Sequence, residues 1–219
     1  MSKDRANFLC YLFIVATVAT AAWLYPTLPD PMPSHWNVDG EVDGWMPKLW
    51  GVAVLPGSAI LIFIVFRLIP RISPKGFRTE SFSGVLNILQ VAMVAFACFV
   101  AFLVLFTAKG IDVHLNQMIY GGMGVLFIVI GNYLGKVRKN FFVGIRTPWT
   151  LASDEVWTRT HRMAGWTFIV MGIFFLAGAF VRIEPMWLVT IIILLALVPV
   201  VYSYFLYRRV EGFDENGEP

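Results

Sequence analysis

His35, Asp39, Glu41 and Asp43 fall in one short stretch, an imidazole and three carboxylates of the kind that hold a divalent cation. Asp39-Gly40 and Asp43-Gly44 are turn signals, however, so these aspartates read first as turn-capping residues of a structured lid and only second as ligands. Pro26, Pro29, Pro31, Pro33 and Pro47 surround them and forbid a regular helix. Trp36, Trp45 and Trp50 suit a membrane interface, where an indole is dry on one edge and wet at its N–H, and suit equally a surface that meets a peptide.

A second constellation runs from Asn132 to Arg162. It holds Arg146, Trp149, Trp157, His161 and Arg162 among asparagines and threonines, punctuated by Gly144 and Pro148. Ser153 followed by Asp154 and Glu155 predicts a capped helix start with acids in its first turn. Trp157, His161 and Ala164 then share one face of that helix. Basic residues alone would make this loop an anchor for lipid phosphates. The polar and aromatic content is richer than anchoring requires, which favours a folded, hydrogen-bonded cap, and a cap can also present a partner-binding surface. His161 reads as a structural histidine rather than a base.

Chemistry inside the apolar segments is sparse. Asn87, Gln90 and Asn132 stand at similar depth, and a buried amide seeks partners, so the three are expected to cluster. Gly131 and Gly135 form a GxxxG pair that permits close helix approach. No span carries Asp or Glu, the usual mark of proton or cation coupling. There is no HExxH, no Ser–His–acid arrangement and no pair of intramembrane aspartates, so no enzyme is expected, and nothing calls for a cofactor or a bound metal.

The elements that must position these residues follow from composition. Of 219 residues 58% are hydrophobic and 14% charged, against about 45–50% and about 25% in a soluble domain. The apolar residues fall into segments from Ala6 to Tyr25, Leu49 to Ile69, Gly84 to Thr107, Asn116 to Gly135, Met163 to Val181 and Met186 to Tyr207. Each reaches the ~20 residues that a helix needs to cross a bilayer, and backbone amides in hydrocarbon must bond within their own segment. The expected fold is all-α, a single six-helix transmembrane bundle with an outer loop over 26–48, an inner loop over 136–162 and an acidic tail over 208–219.

Orientation comes from the loops. With the N-terminus inside, fourteen of the seventeen Lys and Arg residues lie on the cytoplasmic side, and only Lys48, Lys109 and Arg182 lie outside. Both termini are therefore expected in the cytoplasm, with the proline-rich loop outside. The net charge of +3 reflects this topology and implies no direct nucleic-acid partner. Lys3 and Arg5 before an apolar run that contains Ala19-Thr20-Ala21 resemble a secretory signal, but the run continues through Trp23 to Tyr25, so a retained first helix is expected. Cys10 and Cys98 lie within apolar segments and read as small buried hydrophobes.

The two loops resemble a known family. Asn132, Asn140, Gly144-Ile145-Arg146-Thr147-Pro148-Trp149-Thr150, Trp157 and Thr160-His161-Arg162 are similar to the signature of the SdpI family of bacterial membrane proteins. Pro33, His35-Trp36-Asn37, Gly40, Asp43-Gly44-Trp45 and Lys48 look like the N-terminal region that many members share. The resemblance implies a multi-pass protein of the bacterial cell membrane that gives immunity to a secreted, membrane-active peptide toxin. It also implies that the outer residues Pro33, His35, Trp36, Asn37, Gly40, Asp43, Trp45 and Lys48 face toxin. The inner set would then hold an ArsR-type repressor at the membrane, a signal-transducing role. Ranked on the residues and the resemblance, toxin immunity stands first, a small transporter or flippase second, and an intramembrane enzyme third.

Overall fold

The computed structural model describes residues 1–37, 40–181 and 184–213. Asp39, Arg182 and residues 214–219 of the expected acidic tail lie outside the described residues. Six helices are long and apolar enough to cross a membrane: α1 (Lys3–Leu24), α2 (Lys48–Ile72), α3 (Ser83–Ala108), α4 (Leu115–Leu134), α6 (Asp154–Gly178) and α7 (Pro185–Val210). The short α5 (Pro148–Ala152) stands before α6. This is a multi-pass membrane protein.

Helix α1 shows why the spans behave as lipid-facing elements. Ser2 caps it by accepting from the Arg5 N–H, and its buried residues Ala6, Cys10, Thr17, Ala21 and Leu24 form one narrow stripe of mostly small side chains. Phe8, Val15 and Trp23 on the remaining face are exposed. Lipid is as apolar as leucine, so burial between helices gains little from water exclusion, and small side chains matter because they let neighbours approach.

The spans form two groups of three. In the first, α3 packs on both α1 and α2; in the second, α6 packs on both α4 and α7. A seam between α3 and α4 joins the groups. At one end the seam is filled by Ile69, Phe82, Leu86 and Leu89 from the first group against Leu134, Val137, Trp157 and Ala164 from the second. Most loop Lys and Arg residues gather there, so we call it the basic end. Towards the other end the seam opens into an apolar groove of about 760 Å³, bordered by Phe96 and Phe99 of α3, Gly122 and Val125 of α4, Leu176 of α6 and Phe180 in the turn that follows it.

The tightest pairing is α4 against α6, and it rests on glycine. A Cβ on Gly131 would lie 2.6 Å from the Gly165 carbonyl oxygen, and one on Gly165 would lie 2.8 Å from that of Gly131. Gly124 and Gly172 repeat the arrangement two turns away, at 2.8 and 2.7 Å. Both members of the expected GxxxG pair face α6: Gly131 makes the close contact, and Gly135 meets the Arg162 backbone at an ordinary 3.4 Å, while Gly124 supplies the second close contact.

The proline-rich loop adds an element that the all-α expectation did not include. Met32–Trp36 (β1) and Val42–Met46 (β2) pair antiparallel, with Met32 opposite Met46 and irregular register around His35. Asn37 organises the turn: its side-chain oxygen accepts from the Glu41 N–H at 2.9 Å, its carbonyl accepts from the Gly40 N–H, and Gly40 takes φ +84°. An isolated two-stranded ribbon is marginal in water, and this one is moored. Met32 is fully buried with Ala21, Leu24, Leu28, Leu105 and Ala108, and it sits so close to Gly51 that a Cβ there would meet its own at 2.9 Å. At the tip, a Cβ on Gly40 would lie 3.4 Å from the Asn116 side chain on α4. The hairpin is thus rooted on the first helix group and reaches the second.

Candidate functional site

At the hairpin end, the outer-loop residues separate by exposure. His35, Gly40, Asp43 and Trp45 are exposed, Trp36, Asn37 and Lys48 half-buried, and Pro33 buried in the root. His35 Nδ1 lies 2.5 Å from Asp43 Oδ1, a pairing that ties β1 to β2. Glu41 is engaged elsewhere, since its carboxylate accepts from the Asn37 side-chain amide at 3.2 Å. Among the described residues no three potential ligands converge on a metal position, and Asp39 lies outside them. The Lys48 N–H donates to Asp30 Oδ1 at 3.2 Å and its ammonium sits 4.8 Å over the Tyr25 ring, which fixes the second foot of the hairpin. Among the described residues the exposed part of this end includes Trp45, the His35–Asp43 pair and, on α2, Trp50.

At the basic end, the inner loop is folded into a cap by its own polar side chains. Asn140, fully buried, uses its whole capacity: Nδ2 donates to the Arg138 and Val143 carbonyls at 2.8 and 3.0 Å, and Oδ1 accepts from the Phe142 and Val143 N–H groups at 2.8 and 2.7 Å. Thr147 and Thr150 form a reciprocal capping box at the start of α5, and Thr150 also donates to the Ile145 carbonyl at 2.8 Å. Ser153 caps α6 as its sequence predicts, accepting from the Val156 N–H.

The face shared by Trp157, His161 and Ala164 is buried as a unit. The Trp157 ring lies on that of His161 with centroids 4.0 Å apart. His161 Nδ1 donates to the Trp157 carbonyl at 2.8 Å, and Nε2 accepts from the Ile145 N–H at 3.0 Å. Only a neutral ring with its proton on Nδ1 can make both bonds, so His161 is a structural connector. Gly144, at φ +114°, lies flat against that ring, where any side chain would collide with Nε2.

Exposure divides the inner set sharply. Asn140, Thr147, Thr150, Trp157, Thr160 and His161 are buried, Gly144 and Trp149 are half-buried, and Asn132, Arg146, Pro148 and Arg162 are exposed. The buried members cannot touch a partner while the cap is folded, so Trp157 in particular is a packing residue. Arg146 donates to the Phe141 carbonyl, and Trp149 meets Tyr204 of α7 edge-on at 5.1 Å. The expected amide cluster does not form: Asn87 donates to the Met1 carbonyl, Asn132 to Ile128 in its own helix, and the buried Gln90 side-chain nitrogen makes no hydrogen bond.

Several participants escaped the sequence reading. Val137 supplies the carbonyl that accepts from Trp157 Nε1 at 2.8 Å, and Ser203 of α7, fully buried, lies 3.0 Å from the Thr147 hydroxyl. A serine in the middle of an apolar span was the available signal for the latter. Val137 gave none, because its backbone does the work.

The comparisons with known proteins fall on both ends. Residues 136–203, from the cap loop to Ser203, match the SdpI/YfhL protein family, and residues 12–60, which include the hairpin, match a domain of unknown function, DUF1648. The chain is 24% identical over 210 residues to the immunity protein SdpI of Bacillus subtilis (strain 168), covering 95% of this chain and 99% of that protein. It is also 33% identical over 84 residues to plasma membrane ATPase 1 of Candida albicans, a match that spans 38% of this chain and 8% of the ATPase. No solved structure matches. The resemblance to the SdpI family stands, carried by the cap and extended along nearly the whole chain.

Proposed function

We propose that this SdpI-family membrane protein is an immunity protein, which binds or excludes a secreted, membrane-active peptide at its hairpin end and catalyses no reaction. The observation that carries the reading is the match to the Bacillus subtilis immunity protein across 99% of that protein's length. Supporting it, Trp45, Asp43 and His35 stand exposed on a hairpin braced against both helix groups, and the Lys and Arg distribution directs that end outward. Indole faces and a carboxylate suit an amphipathic, cationic peptide.

At the basic end we assign the second role, capture of an ArsR-type repressor, to Arg146, Pro148 and Arg162, the exposed members of the inner signature other than Asn132. A small flippase is the alternative that one observation favours, namely the apolar groove beside α3, α4 and α6, which has the character of a lipid-tail site; lipid flux in proteoliposomes of the purified protein would support it.

The test uses a bacterial strain sensitive to the secreted killing peptide of an SdpI-bearing strain. Expression of this chain should restore survival, Trp45→Ala and Asp43→Asn should sensitise the cells at equal membrane level, and the lipid-facing Trp166→Ala should not. Failure of the unaltered chain to protect at full expression overturns the reading.

A further inference from the structure

A polar cavity of about 410 Å³ opens at the basic end, within the ~300–1,000 Å³ of small-molecule sites. Arg78 and Ser81 enter it from the connection between α2 and α3, and Arg138 and Lys139 from the loop that leaves α4; Asp154 and Thr158 come from the first turns of α6. Its walls therefore belong to both helix groups. Just below, the apolar seam closes over Trp157, and Phe77 meets Phe141 edge-on at 4.2 Å across the same boundary.

The charges lining this cavity do not balance. Lys139 is paired with Asp154 at 2.6 Å. Arg78 reaches Glu80 at only 3.6 Å, with both side chains about two-thirds exposed, an arrangement that contributes little. Arg138 makes no ion pair among the described residues. Two guanidinium groups thus face a common space whose one carboxylate is already engaged. The cavity lies where α2 ends at Ile72, α3 begins at Ser83 and α4 ends at Leu134, which is the level of phospholipid headgroups.

We propose that this cavity binds a phosphate oxyanion, carried by an anionic phospholipid headgroup or free in solution. Arg78 and Arg138 are its ligands, and Ser81 is a hydroxyl donor beside them. Guanidinium forks match phosphate oxygens in geometry and keep their charge at all accessible pH. Because the two arginines come from different helix groups, the bound anion joins those groups at the basic end.

The purified full-length protein in a neutral detergent is titrated with dioctanoyl phosphatidylglycerol and, separately, with sodium phosphate at constant ionic strength, reading the unfolding temperature. At least one titration should saturate. Saturation by the lipid alone identifies a headgroup site, and saturation by phosphate identifies a site for the free anion. The Arg78→Gln/Arg138→Gln variant should weaken binding by about tenfold or more, the loss expected for charge-assisted hydrogen bonds. Ser81→Glu should weaken it as well while keeping both arginines. Arg208→Gln/Arg209→Gln, which removes two exposed cations from the same end outside the cavity, should bind as the unaltered protein does. Absence of saturation by either probe overturns the proposal. So does unchanged affinity in both cavity variants, or an equal loss in the Arg208/Arg209 variant.

Discussion

The indole nitrogen of Trp157 donates to the carbonyl of Val137 at 2.8 Å, and this one bond ties the start of α6 to the chain as it leaves α4. Trp157 is 1% exposed, so the bond forms where water cannot replace it. The same ring lies on His161, which holds Ile145 in turn, so a short run of contacts fastens most of the inner loop to one helix face.

Asn140→Ala should be among the most damaging substitutions in the cap. It leaves the Phe142 and Val143 N–H groups without their acceptor, and each buried unsatisfied group costs ~1–3 kcal/mol. Asn132→Ala, exposed and bonded only within its own helix, should change stability by less than ~0.5 kcal/mol. Thermal unfolding in detergent distinguishes the two, and equal shifts would show that Asn140 does not organise the loop.

His161→Phe preserves the ring on Trp157 but cannot accept from Ile145. We expect a loss of ~1–3 kcal/mol, with cleavage by a soluble protease appearing in the segment around Gly144. A variant as stable and as resistant as the unaltered protein would mean that stacking alone holds the cap.

Replacing Gly131 or Gly172 with valine should separate α4 from α6. The atoms in the way are backbone carbonyls as well as Ile169 or Ile128, and a carbonyl in a helix cannot swing aside. Overpacking of this kind costs ~1–3 kcal/mol or more, visible as lost monodisperse yield. Gly57→Ala on α2, with nothing within 4 Å of the new carbon, should be neutral or stabilising. Similar yields for all three would remove the special status of the glycine contacts.

Orientation can be read by cysteine labelling, because Cys10 and Cys98 are 0% and 1% exposed and should stay silent. A cysteine at Asp43 should react with an impermeant maleimide in intact cells, and one at Glu155 only after permeabilisation. The reverse pattern would place the hairpin in the cytoplasm.

The six spans were legible because hydrocarbon imposes a length and excludes charge, and both are visible in one dimension. The hairpin was hidden for the opposite reason. Its strands are five residues long, β1 begins Met32-Pro33, and irregular register at His35 breaks the alternation that marks a strand. The cap residues were identifiable as unusual, yet their burial was not, since Asn140 and His161 carry the same letters whether they face a partner or a carbonyl. Helix pairing was also out of reach: Gly124, Gly131, Gly165 and Gly172 stand seven apart on each helix, but nothing in one chain's letters says that these two helices meet.

Two glycine contacts, two turns apart on each partner, index α4 against α6 at a single setting. Advancing α6 by one turn would put Ile169 or His161 opposite Gly131, and Leu176 or Phe168 opposite Gly124. All four would drive a side chain into space that two backbones now occupy. A one-turn ratchet, the ~5.4 Å stroke by which some proteins pass a signal along a helix, is closed to this pair. In any rearrangement of the bundle, α4 and α6 therefore move as one body.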